Sequence, residues 1–205
     1  MQEYIYVVFS STPYVTGKAI RLFTREQYNH VSISLDPELN QMYGFARRYF
    51  DAPLYGGFVK ESRCRFHLRG QSSDISICKI PVTPAQLAGV KSRLRQMYRN
   101  RELYLYNHMS VLGSLIHRPI RTRGAYTCVE FGVHVLSKLD IGVDAKKFYS
   151  VGQLQKQLKE YEIYAGPMPK DDSYDPEYYK KYPFYRGTYS TVRDFIRLFP
   201  RLVSK

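Results

Sequence analysis

The sequence predicts an α+β fold in which an antiparallel sheet packs against helices. Short β-rich runs follow one another through the first part of the chain, and helical periodicity is concentrated in the second part. Strand and helix do not alternate in the manner of a parallel sheet, which makes the α+β class the expected one.

Taken in order, Tyr4 to Phe9 reads as a first strand, and "SSTPYVTGKAIRLFT" reads as a turn and a helix with Ala19, Ile20 and Phe23 inward. The "GK" in that stretch fails as a phosphate-binding loop. Thr12 stands where the motif needs its first glycine, and Ala19 stands where it needs a hydroxyl. "HVSISLD" alternates Val31, Ile33 and Leu35 with His30, Ser32 and Ser34, the pattern of a half-buried strand opened by His30. "QMYGFARRYF" is its expected antiparallel partner, and Phe58 to Phe66 and Asp74 to Val82 are further β-rich runs. Thr83 then caps a helix from Pro84 to about Asn100, with Leu87, Val90, Leu94 and Met97 as its core stripe.

Residues 103 to 124 suggest only a short helix around Met109 to Leu115. After them, "AYTCVEFGVHVLSKLDIG" places Val129, Gly132, Val133 and Leu136 at helical spacing, with Gly142 able to end the run. "VGQLQKQLK" is another amphipathic helix and "EYEIYAG" a last strand. The spacing therefore predicts a domain over residues 1–166, followed by a Tyr- and Pro-rich arm, 167–205, that is largely irregular and ends in a basic amphipathic helix. That terminal stretch sets Arg193, Arg197 and Arg201 on one face and Phe195, Ile196, Phe199 and Leu202 on others.

Composition narrows the function. The net charge is +13, but the basic surplus is spread along the chain with no basic tail. The densest cluster, Lys91, Arg93, Arg95, Arg99 and Arg101, shares a helix with a core stripe and reads first as a solvated outer face. Nucleic-acid binding, motivated by this charge and by the 20 tyrosines, is thus the alternative reading. No apolar run reaches the length of a membrane span, and the N-terminus carries an acid where an export signal carries positive charge, so a cytoplasmic location is expected. Three cysteines, Cys64, Cys78 and Cys128, cannot all pair within one chain, and "CRFH" lacks a second ligand pair at zinc spacing. No metal and no cofactor is expected.

The position of Cys128 at the mouth of a helix is the most informative feature. A nucleophilic thiol must ionise, and a helix N-terminus with an imidazolium neighbour favours the thiolate. Of the five histidines, His30 is best framed, because it opens a strand on the face away from the apolar stripe. His134 lies six residues along the same helix as Cys128, too far round, and His67, His108 and His117 sit in arginine-rich loop text.

"YNHVSISLD", followed much later by "YTCVEF", resembles the circularly permuted branch of the NlpC-type papain-like cysteine hydrolases, which includes lecithin:retinol acyltransferase-like proteins. In that branch the histidine strand precedes the cysteine helix, and the likeness covers about residues 1–166. The resemblance implies that Cys128 attacks a carbonyl, passing through an acyl-enzyme, with His30 as the base. It also implies a polar residue on the strand after the histidine strand, and here the chain departs from the pattern. "QMYGFARR" offers no Asp, Glu or Asn, and Gly44 has no side chain. Tyr43, Arg47, a backbone carbonyl or, from the next strand, Glu61 remain, with Glu61 preferred on chemistry. Tyr126 is a candidate for the oxyanion site or an ordinary packing tyrosine, and Glu130 reads as a first-turn acid that suits the helix dipole.

The expected activity is a thiol hydrolase or acyltransferase acting on an amide or ester of a peptide or lipid-like acyl substrate. The basic C-terminal segment leaves peripheral membrane contact open. A papain-like binding domain without activity is the further alternative, and oligomeric state is not legible.

Overall fold

The computed structural model describes residues 2–114, 120–171 and 173–203. His117 and Leu115 lie outside them, as do the side chains of Ala19, Ile20 and Phe23. The elements run β1 (Glu3–Ser10), α1 (Val15–Thr24), β2 (His30–Ser34), β3 (Met42–Arg47), β4 (Gly56–Glu61), a small hairpin of β5 (His67–Leu68) and β6 (Gln71–Ser72), and β7 (Asp74–Val82). There follow α2 (Pro84–Arg99), β8 (Leu105–Tyr106), α3 (His108–Ser114), β9 (Ala125–Tyr126), α4 (Cys128–Leu136), α5 (Val151–Gln157), β10 (Glu162–Pro167), α6 (Phe184–Ile196) and α7 (Phe199–Val203). The α+β class is as expected.

Eight strands form one sheet in the order β10-β7-β1-β2-β3-β4-β8-β9. Neighbours are antiparallel except β8 and β9, which are parallel, so the sheet is mixed rather than wholly antiparallel. The run to Phe66 is a strand only as far as Glu61, and Arg63–Phe66 coils into a 3₁₀ turn.

Both faces of the central strands are covered. On one face Val7, Phe9, Val31, Ile33, Phe45 and Phe58 meet the stripes of α2 and α4. On the other, Tyr6, Val8, Met42, Phe66, Ile75 and Met168 form a second core. The half-exposed reading of β2 is therefore corrected, since Ser32 and Ser34 are as buried as Val31. A hydroxyl at such a position needs a partner inside the protein. Ser34 Oγ donates to the Asp36 carbonyl at 2.8 Å, and Ser32 Oγ has the role described below.

Helix starts follow the sequence closely. Thr83 and Gln86 cap α2 reciprocally, and Thr127 and Glu130 do the same for α4. In the second box Glu130 Nʜ donates to Thr127 Oγ1 at 3.2 Å, and Thr127 N–H donates to Glu130 Oε2 at 2.8 Å. Glu130 is a helix cap, which accounts for an acid so close to Cys128.

Among the described residues of 168–183 no helix or strand forms, so that stretch is irregular as expected. Helix α6 begins at Phe184, inside the stretch read as coil, and the segment as a whole docks on the sheet domain. Asp175 accepts from Arg65 Nε at 2.8 Å and from Ser62 Oγ at 2.7 Å. Tyr178 is buried, and its hydroxyl donates to Tyr14, which in turn donates to the Arg65 carbonyl. Tyr182 stacks on Tyr49, Leu198 packs on Leu105 and Ala125, and Arg201 donates to the Leu103 carbonyl.

Arg65 is 7% exposed, so removing the charge that faces it strands a buried cation, at a cost of roughly 3 kcal/mol. The Asp175→Asn variant is expected to lose about that much in urea unfolding and to be cut faster by protease between 169 and 183. Wild-type unfolding and cleavage would show that the ion pair does not fasten this segment.

Candidate active site

Three elements supply the site. Strand β2 opens with His30, β4 ends with Glu61, and α4 opens with Cys128. The His30 imidazole and the Glu61 carboxyl are both buried, and Nε2 lies 2.9 Å from Oε2 and 3.1 Å from Oε1. Ser32, on the same face of β2, donates to Glu61 Oε1 at 2.7 Å. The carboxylate thus has two donors, one of them the ring.

Glu61 and His30 stand on strands separated by β3, so the carboxylate must reach across it. Gly44 makes this passage possible. It pairs with Ser32 on one side and Val59 on the other, and a Cβ there would lie 2.2 Å from Glu61 Oε1. The missing side chain, which left β3 without an orienting group in the sequence, is the opening through which the next strand supplies one.

The remaining ring nitrogen, Nδ1, is left for the cysteine. The Cys128 side chain is near enough to the imidazole to help raise its pKa, and its Sγ lies 4.0 Å from the carbonyl oxygen of Asn29, the residue before His30. Asn29 is itself fixed. Its Oδ1 accepts from Thr12 N–H at 2.9 Å and from Arg21 Nη1 at 2.6 Å, and its Nδ2 donates to Thr12 Oγ1 at 2.7 Å.

Burial alone would push the His30 pKa down, because it disfavours the charged ring. The negative charge of Glu61, the nearby Cys128 side chain and the hydrogen bond to Glu61 outweigh it and raise the value to about 10. Burial would push Glu61 up, but the imidazolium charge, its hydrogen bond and the Ser32 hydroxyl hold it below the usual carboxylate range. Both directions describe the same state, imidazolium against carboxylate.

His30 and Glu61 line a cleft of about 390 Å³. Pro53, Leu54, Phe66 and Val111 give it apolar walls, while Arg47 and Arg65 supply positive charge. Tyr14 and Tyr178 line it as well, with Arg47 over the Tyr14 ring at 4.1 Å and Arg65 over Tyr178 at 4.4 Å. The segment after Pro167 therefore contributes a wall of the cleft.

The structure brings Cys128, His30 and Glu61 together and leaves Tyr126 out. The Tyr126 ring stands 5.3 Å from both Phe45 and His134, and it lines a separate pocket. Tyr126 is not among the residues that border the cleft. Tyr106, its neighbour on β8, lines the cleft instead, and burial followed by the nearby Cys128 and Glu130 raises its hydroxyl pKa. Tyr43 stacks on Phe58 and Arg47 covers Tyr14, so neither serves as the partner of His30. Sequence reasoning missed Ser32 and Tyr106. The polar alternation of β2 carried a signal for the first, and nothing distinguished the second from the other tyrosines.

Cys64 and Cys78 are buried elsewhere, and burial followed by the Glu162 charge pushes the Cys78 thiol up to about 12. Among the described residues no cluster of three or more metal-ligating side chains occurs, and no helix is long and apolar enough to cross a membrane. Comparison with family models, with curated proteins and with solved structures found no match.

The pair makes stability depend on pH in a defined window. His30 is raised from 6.5 to about 10, so its contribution is present in full below 6.5 and is lost as pH climbs towards 10. Glu61 is lowered from 4.5, so its contribution is present above that value and is lost in acid. The gap in unfolding free energy between wild type and Glu61→Gln should be widest between those limits and should close on either side. A gap independent of pH would mean that the pair is not charged. Gly44→Ala should turn the carboxylate away and drop the His30 pKa steeply in an NMR titration of the imidazole; an unmoved titration would refute the passage over β3.

Proposed function

We propose that the chain is a cysteine-dependent hydrolase or acyltransferase of the permuted NlpC-type papain-like kind, acting on an amide or ester. The observation that carries this reading is the buried His30–Glu61 pair, 2.9 Å apart, with the Cys128 side chain near enough to raise the pKa of the same ring. Histidine strand before cysteine helix is also the chain order of that branch.

In the proposed reaction the Cys128 thiolate attacks the substrate carbonyl carbon, and the electron pair of the C=O bond moves onto oxygen. The amide N–H groups at the start of α4, which lack partners within the helix, stabilise that oxyanion. Collapse of the intermediate breaks the carbon–nitrogen or carbon–oxygen bond, and His30 delivers its Nδ1 proton to the leaving group. An acyl-thioester remains. Water or an acceptor alcohol then loses a proton to His30 and attacks the thioester, releasing the acyl product and restoring the ion pair. Glu61 does not exchange protons; it fixes the ring with Nδ1 towards sulfur and keeps the charged form stable.

Cleft chemistry bears on the substrate. Apolar walls beside Arg47 and Arg65 suit an acyl compound with a hydrophobic portion and an anionic or strongly polar one.

Alkylation by iodoacetamide, followed by peptide mapping across pH, tests the proposal. Cys128 should react preferentially near pH 6, and His30→Ala should slow it at least tenfold there, as loss of the imidazolium removes the stabilised thiolate. Glu61→Gln should slow it less. Equal sluggishness of Cys64, Cys78 and Cys128 in the wild type would end the hydrolase reading.

A further inference from the structure

Helix α6 is inverted relative to an ordinary surface helix. The residues it turns towards the domain are small or polar: Gly187, Ser190 and Asp194 are its buried positions. Those it turns outward are large and apolar. Tyr185, Tyr189, Val192 and Ile196 follow at i, i+4, i+7 and i+11, and each is more than half exposed, with values of 68%, 69%, 52% and 60%. Phe184 at 69% and Phe199 at 49% extend the same surface at its two ends. A scatter of single exposed hydrophobics needs no explanation, whereas one continuous stripe does.

The exposed charges on α6 itself are all of one sign. Arg186 and Arg193 are exposed along its flank, Lys180 and Lys181 stand just before the helix, and the single acid of α6, Asp194, is buried and bound to Arg193 and Arg197. The helix also borders the mouth of the cleft. Gly187 sits against Ala52 and so braces the turn that holds Pro53 and Leu54 at the rim. Leu54 is itself 58% exposed.

We propose that the outward face of α6 is a docking surface for an anionic phospholipid bilayer. Amphipathic helices with an apolar face, aromatic residues and a cationic flank lie in the plane of the lipid interface, held by buried apolar area and by attraction to acidic headgroups. A cationic flank without an exposed acid on the helix matches that surface and no neutral one. Docking there sets the rim of the cleft at the headgroup layer. The inference does not depend on the chemistry at Cys128.

The test is cosedimentation of the full chain with vesicles of phosphatidylcholine alone and of phosphatidylcholine mixed with phosphatidylglycerol. The wild type should pellet with the mixed vesicles, weakly with the neutral ones, and less as salt is raised. Val192→Ser combined with Ile196→Ser should weaken binding to mixed vesicles roughly tenfold or more, as should Lys181→Glu combined with Arg186→Glu. Cys128→Ala should bind as the wild type does, which separates this result from any failure of the catalytic reading. Absence of pelleting with mixed vesicles, or undiminished pelleting of the serine variant, would overturn the proposal. So would a concentration-dependent dimer in light scattering that the serine variant abolishes, since the stripe would then be covered by a second copy of the chain.

Discussion

The arrangement depends on one buried ion pair, the His30 imidazolium against the Glu61 carboxylate. Taking two charges out of water costs several kcal/mol for each ion, and their attraction offsets that cost only where the geometry is close and the remaining lone pairs are satisfied. Here the carboxylate accepts from the ring and from Ser32, and the ring keeps one nitrogen for Cys128. The same pair sets constraints on distant parts of the sheet. Position 44 must lack a side chain, position 32 must carry a small donor, and the second face of β2 must be sealed by its own apolar cluster so that water does not screen the charges.

That sealing explains why a chain of this size builds two cores. Helices α2 and α4 cover one face of the sheet, and α4 brings Cys128 with it. The other face is closed in part by Met168, where the last strand leaves the sheet, and the segment beyond it carries Asp175 and Tyr178 back to Arg65 and Tyr14. Arg65 is shared between the two tasks. Its charge is balanced by Asp175, its plane lies on the Tyr178 ring, and it is also among the residues that help hold Glu61 ionised. Tyr14 and Tyr178, from the tyrosine surplus, form a hydroxyl relay at the cleft wall, and Arg95 and Arg99 stand on the exposed side of α2.

Where local chemistry decides structure, the sequence was readable. The caps at Thr83 and Thr127, the stripe of α2 and the antiparallel run from β1 to β4 each follow from neighbouring residues, and so does the placing of Cys128 in a first turn. What depends on contact between distant segments was hidden. The alternation of β2 announces a polar face but not that the face is buried, because its cover comes from Phe66, Ile75 and Met168, far along the chain. Tyr126 and Tyr106 are equivalent by composition, and they are register partners across β8 and β9; only the cavity each one lines separates them. The most misleading residue was Gly44, since an empty position on the expected strand signals a missing partner unless the next strand is seen to reach through it.

Where the terminal helix begins, and which side it buries, was hidden for a related reason. Pro, Tyr and charge in close succession suggest coil, and the helix that follows lacks the usual inward stripe because its buried side is Gly187, Ser190 and Asp194. A helix of that kind gains little from burying its own apolar residues. It is held by what lies before and after it: Tyr182 on Tyr49 at one end, Leu198 on Leu105 and Arg201 on the Leu103 carbonyl at the other. Anchoring a helix by its ends frees its long apolar side chains from the core, and α6 keeps them on the outer surface beside the rim of the cleft. The wall that encloses the ion pair and the surface turned outward are then two sides of one segment, so that a change in either is felt at the mouth of the site.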